Sequence, residues 1–399
     1  MLELLRESER SQRLNPKYRN EQQTLLMHKK QSHLCVLTMT TRNLPLILLL
    51  MMVIVSAGSL IQLQPVSATF PGKNGKIVFD RDTPPPGATL LQSQIFTVNP
   101  DGSGLAQLTF TGNNYAPRWS ADGTKIVFAS DRVTPADADG SHEIWIMNAD
   151  GSGQTQITFY PNSVGVSHPA FSPDGSKIVF VSNQPPSTQY NIWVMNADGS
   201  NPQQLTTTAT GYDDGPVWSP SGSKIVFTST RNGPPQIFVM NVDGSGQTDI
   251  SNSLSDSDWS PEWSPDGRMI AFSRIPQAGV EAIWVMNADG TGKNQLSNPP
   301  NLLADFYPAW SPDGAKMAFV RGIDSIWVMN ADGSNPVDIT VSQPNSDSDF
   351  EPNWQPLNTR PVGGIVMPTN KLEVLTPYLA LAGLVAVVSA VVLVKKRRD

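Results

Sequence analysis

The nine residues "IWVMNADGS" at Ile192–Ser200 constrain this chain most, because they are written six times. Close copies begin at Ile144, Ile283 and Ile326, and looser ones, "IFTVNPDGS" and "IFVMNVDGS", at Ile95 and Ile237. A catalytic motif is needed once, so sixfold repetition speaks first of architecture. A second motif precedes five of the six: "PRWSADGTKIVFAS" from Pro117, "PAFSPDGSKIVFVS" from Pro169, "PVWSPSGSKIVFTS" from Pro216, "PEWSPDGRMIAFSR" from Pro261 and "PAWSPDGAKMAFVR" from Pro308. The equivalent aromatic positions, Trp119, Phe171, Trp218, Trp263, Trp310 and Trp354, stand 44–52 residues apart. That is the length of a propeller blade.

Each unit resolves into four short segments rich in β-branched and aromatic residues and parted by Pro, Gly and Asp. Pro-x-Trp-Ser reads as strand A, Lys-Ile-Val-Phe as strand B and Ile-Trp-Val-Met-Asn as strand C. A Gln-Leu-Thr-like segment, as at Gln107–Thr109, Gln204–Thr206 and Gln295–Ser297, reads as strand D. Strand C is apolar on both faces, which suits a sheet packed between two others. The Asp-Gly pairs serve hairpins that need positive φ. Strand B first appears without an A, at Gly75–Phe79, and the last unit stops after "EPNWQP" at Glu351–Pro356, an A without a B. Joining the two orphans gives an all-β fold: a six-bladed propeller of four-stranded antiparallel blades, closed by Velcro pairing of its ends over residues 69–357.

These motifs resemble the WD40-like repeat of TolB-type β-propellers, a repeat also found in the propeller domains of prolyl-oligopeptidase-type proteases. The resemblance covers roughly Phe70–Leu357. TolB-type proteins carry an α/β domain before the propeller, whereas a targeting segment is expected in that place here.

The flanks point to the membrane. Residues 1–68 read as an N-terminal extension and signal peptide, with the apolar run Leu44–Gly58 behind Arg42 and a small-x-small site at Val66-Ser67-Ala68. Two alternatives stay open: a start at Met39 rather than Met1, and an uncleaved signal anchor. After a linker over residues 358–373, the uncharged run Val374–Val394 is long enough to cross a hydrocarbon core as a helix. The basic tail, residues 395–399, is expected in the cytoplasm. The propeller is then expected outside, tied to the cell membrane by a single pass. Its region, Thr69–Leu372, holds 29 Asp and Glu against 16 Lys and Arg, which argues against a nucleic-acid partner. The single cysteine, Cys35, precludes an intrachain disulfide.

No Gly-x-Ser-x-Gly elbow occurs, and no histidine spacing fits zinc. His168, beside Pro169, reads as an ordinary loop residue. No cofactor is expected, with one alternative: Asp137, Asp139, Ser141 and Glu143 alternate as calcium ligands would. The B–C and D–A loops fall on the face called top, and several carry acids just before strand A. Asp213, Asp214, Asp256, Asp258, Asp305, Asp347 and Asp349, joined by Glu351, are expected to ring the mouth of the channel and to attract a cation or a basic peptide segment. Changing Asp256, Asp258, Asp347 and Asp349 to Asn is then expected to leave stability unchanged or raised. Two function classes follow: a non-catalytic binding module for protein or peptide partners, or a propeller enzyme of lyase, lactonase or glycosidase type using scattered acids in the channel.

Overall fold

The computed structural model describes residues 72–83, 92–132, 141–161, 164–300, 303–322, 325–340 and 348–357. The signal segment, the linker and the apolar run Val374–Val394 lie outside them, as does Asp347. Among the described residues no helix is long and apolar enough to cross a membrane.

The described strands form six antiparallel sheets of four strands each. Five sheets run A-B-C-D in chain order. The sixth takes its A strand from the far end of the chain, where Ser348–Leu357 pairs with Lys73–Thr83 through Lys73↔Leu357, Ile77↔Trp354 and Arg81↔Asp349. Counting that composite sheet as blade 1, the A strands of blades 1 to 6 are Ser348–Leu357, Asn114–Trp119, Val166–Phe171, Asp213–Trp218, Ser257–Trp263 and Asp305–Trp310. Each A strand contacts the A strands of its two neighbours, so the six line the axis and the ring is closed. Blades 2 and 5 consequently face each other across it.

Strand C behaves as its composition requires. In Asn191–Asn196 every residue but the last is buried, and Ile192, Trp193, Val194 and Met195 pack into the clusters on either side of their blade. Strand D is shorter than the sequence suggests, two residues per blade. The Thr or Ser that follows it serves another end: its hydroxyl accepts the N–H of the first Ile of strand C in all six blades, Thr206 from Ile192 at 3.0 Å being one case. A buried backbone donor is satisfied where the ladder stops.

Strand A is the principal correction to the sequence reading. It begins three to four residues before Pro-x-Trp-Ser in most blades, because the end of strand B pairs with it there: Asp213↔Ser229, Asp258↔Arg274 and Asp305↔Arg321. The proline has no N–H to give, and the register slips around it in every blade. The residue before each proline is left-handed: Ala116, His168, Gly215, Ser260, Tyr307 and Glu351 all have φ between 46° and 56°. A bulge of this kind re-aims side chains. Here it builds six equivalent pedestals beside the axis.

Candidate functional site at the propeller axis

Five of the six pedestal residues, His168, Gly215, Ser260, Tyr307 and Glu351, line one axial cavity of 190 Å³ together with Asp214 and Trp259. The backbone bulge is the same in each blade, so the architecture is constant while the side chain is not. Below the cavity, Arg118 of blade 2 reaches Glu262 of blade 5, with Nη1 at 2.7 Å from Oε2. This bridge between opposite blades forms the floor. Arg118 lines this cavity and also a second one beyond it, towards the other face.

His168 sits at the centre of the electrostatics. Its Nδ1 is 2.9 Å from Asp214 Oδ1 and its Nε2 is 3.1 Å from Glu351 Oε1, so one imidazole ties blade 3 to blades 4 and 1. The pedestal residue of blade 2, which lies between, is Ala116, and its small side chain leaves His168 within reach of Glu351. Burial alone lowers an imidazole pKa, but the two carboxylates outweigh it and hold His168 well above its usual value. Asp214 is drawn down in turn: burial opposes ionisation, and His168 and the Gly215 N–H, at 2.8 Å, prevail.

The site thus carries two carboxylates against one imidazolium, and the excess negative charge is felt around it. Asp80, buried behind Ala116, is pushed well above the carboxylate range by burial, by Glu351 and by Asp82. The Tyr307 hydroxyl is raised by burial and then by Glu351, Asp80 and Asp214. Tyr115 is raised by burial first, then by Asp131 and Tyr190, with Glu351 and Asp80 adding less.

The acids expected at the channel mouth separate into two groups. Asp214 and Glu351 line the cavity. Asp213, Asp258, Asp305 and Asp349 do not face solvent: all four are fully buried inside their blades. Each is paired with an arginine at the end of strand B or, for Arg231, just beyond it: Arg231 at 2.7 Å, Arg274 at 2.6 Å, Arg321 at 2.7 Å and Arg81 at 2.5 Å. The guanidinium groups also stack between two rings, Arg274 lying 5.3 Å from the Phe272 centroid and 4.9 Å from that of Trp284. Blade 2 repeats the device with Asn114 in place of Asp, bonded to Arg132 at 2.6 Å, and blade 3 has Val166 and no arginine there. Asp256 stands just before its strand, half-buried and 3.6 Å from Arg274.

The calcium alternative divides similarly. Asp137 and Asp139 lie outside the described residues. Glu143 opens strand C of blade 2, fully buried, where it accepts the Thr158 hydroxyl and the Tyr160 N–H. Ser141 lies just before that strand. No group of three or more metal-ligating side chains is present among the described residues.

Sequence reading assigns His168 to an ordinary loop and gives Trp259, Ser260 and Tyr307 no role. The signal was available, because aligning the six copies on their proline produces a column Ala, His, Gly, Ser, Tyr, Glu beside an invariant neighbour. An invariant frame around a variable position marks a site more clearly than the acids themselves did.

Residues 161–299, the stretch from blade 3 through blade 5, match the family described as the TolB beta propeller domain. Within that stretch the repeats are of the TolB propeller type. Among solved structures, TolB from Acinetobacter baumannii is similar at 19% identity, with a TM-score of 0.58 over 72% of this chain and 67% of that one. A putative TolB from Agrobacterium tumefaciens gives 20% identity and a TM-score of 0.51 over 71% and 92%. Hydrazine synthase from Kuenenia stuttgartiensis gives 18% identity and a TM-score of 0.57 over 75% and 49%. At these identities the likeness is one of fold. No curated protein matches the sequence.

Proposed function

We propose that this chain is a membrane-anchored, extracytoplasmic binding module whose axial pocket on the top face receives a basic side chain of a protein or peptide partner, without catalysis and without a cofactor. The observation that carries the reading is the charge of the pocket. Two carboxylates surround one imidazolium in a polar cavity closed below by Arg118–Glu262, and an incoming ammonium or guanidinium supplies the missing positive charge. Trp259 and Tyr307 add aromatic walls that suit a cation. Catalysis by a base is disfavoured, since both nitrogens of His168 face carboxylates and neither is left to take a proton.

The topology supports the orientation. Strand A runs from top to bottom, so Leu357 and its partner Lys73 emerge together on the bottom face. The chain beyond Leu357, which leads to the apolar run Val374–Val394, therefore leaves the propeller on that face. With Lys395–Arg398 in the cytoplasm, the pocket faces away from the membrane and towards partners.

The test is calorimetric titration of the protein with short lysine- or arginine-containing peptides. Saturable 1:1 binding that weakens at least about tenfold in Asp214→Asn/Glu351→Gln supports the reading. Equal affinity for the wild type and the double variant contradicts it.

A further inference from the structure

A second axial cavity, of 140 Å³, opens on the bottom face beneath the Arg118–Glu262 bridge. Its wall takes one element from most blades: the prolines that open the A–B hairpins, Pro173, Pro220, Pro265 and Pro312, and Pro356 from the closing strand. Trp310 and Phe171 stand partly exposed between them. The charged side chains in its lining are Arg118 and Glu262, which neutralise each other. The top pocket is acidic and polar; this one is a neutral collar with more apolar than polar surface. An apolar side chain entering it would pack on the proline and indole walls and displace solvent from them.

The chain itself leaves the propeller at this collar. Pro356 belongs to its wall, and Leu357, the next residue, ends the closing strand. The following linker, Asn358–Glu373, has its longest apolar run at Ile365-Val366-Met367-Pro368, with Val362 and Leu372 standing singly on either side. Val366 stands nine positions beyond Leu357, an extended reach of roughly 30 Å, which exceeds what is needed to return to the axis. A tether this short holds the patch at an effective concentration on the order of millimolar. Neither a second copy nor a free peptide has that advantage.

We infer that the bottom collar is the docking site for Ile365–Pro368 of the chain's own linker, with one aliphatic side chain inserted between the hairpin prolines. The docked linker fixes the bottom face against the anchor and leaves the top face presented. This inference is independent of what the top pocket binds.

The experiment uses the full chain in detergent micelles in a Cys35→Ser background. Pro173→Cys/Val366→Cys is compared with Ser200→Cys/Val366→Cys, whose first cysteine sits in an exposed outer hairpin of the same face and blade. Intramolecular disulfide formation under mild oxidation is expected at least tenfold faster for the Pro173 pair. Because proline replacement can disturb the hairpin, hydrogen exchange is also measured on the unaltered protein. The amides of Val366 and Met367 are expected to exchange at least tenfold more slowly than in Ile365→Asp/Val366→Asp. Equal crosslinking at the two positions, disulfides that form only between chains, or exchange as fast as in the aspartate variant would each overturn the inference.

Discussion

The buried Asp305–Arg321 pair allows a sharp test of how the blades are held. Asp305 is fully buried, and its two carboxylate oxygens accept Arg321 Nε at 2.7 Å and Nη2 at 2.8 Å. Arg321 is 7% exposed and its guanidinium lies 4.8 Å from the Trp327 centroid. Asp305→Ala leaves that cation desolvated and bonded to nothing in the place of the carboxylate. The expected loss is about 3–5 kcal/mol, or roughly 5–15 °C in Tm for a domain of this size. Asp305→Leu combined with Arg321→Met removes both charges and is expected to recover most of the loss, since a buried pair replaced by apolar groups is often close to neutral. Chemical denaturation, followed by tryptophan fluorescence, measures all three. A single variant that loses less than about 1 kcal/mol, or a double variant no better than the single, refutes the argument that an unpaired buried charge is the cause.

Further predictions follow from the same geometry. His168 has a folded pKa above the unfolded one, so its contribution is complete below about pH 6.5 and is lost as pH rises through the elevated value. The denaturation midpoint of the wild type should therefore decline on the alkaline side more than that of His168→Gln. Burial and then Asp305 push the Glu281 carboxyl up to about 7. Its contribution is present below the unfolded carboxylate value and is lost as pH rises through about 7, so Glu281→Gln should be more stable than wild type at pH 8 but not at pH 4. Trp354, which pairs with Ile77 across the closing joint, is 3% exposed, and its Nε1–H donates to the Ala309 carbonyl of neighbouring blade 6 at 3.0 Å. Trp354→Ala should cost about 3–5 kcal/mol in the same denaturation assay, and a cost under about 1 kcal/mol would mean the Velcro strand is not held as described.

The fold was legible because propeller blades are local repeats: each writes its own strands and hairpins, and the two orphan segments left one way to close. The site was less legible for a physical reason. Strand A was read from Pro-x-Trp-Ser because proline and tryptophan are conspicuous, yet its ladder resumes on the far side of a bulge that no single copy reveals. That shift moved Asp213, Asp258, Asp305 and Asp349 from loops into buried strand positions. There they meet arginines whose significance depends on the same register. The expectation that Asp258→Asn and Asp349→Asn leave stability unchanged is consequently replaced by a destabilisation of the kind derived for Asp305. His168 reads as a loop residue in the sequence, since its partners, Asp214 and Glu351, lie 46 and 183 positions away and in different blades. Long-range pairs across a closed ring leave no mark in local spacing.

The most direct test of the central claim is a crystal structure of the protein with a short lysine-containing peptide. The lysine Nζ is predicted within hydrogen-bonding distance of Asp214 or Glu351, above the Arg118–Glu262 floor and beside Trp259. A peptide bound instead to the outer rim or to the acidic hairpins of the bottom face, with the axial pocket unchanged, would contradict the account.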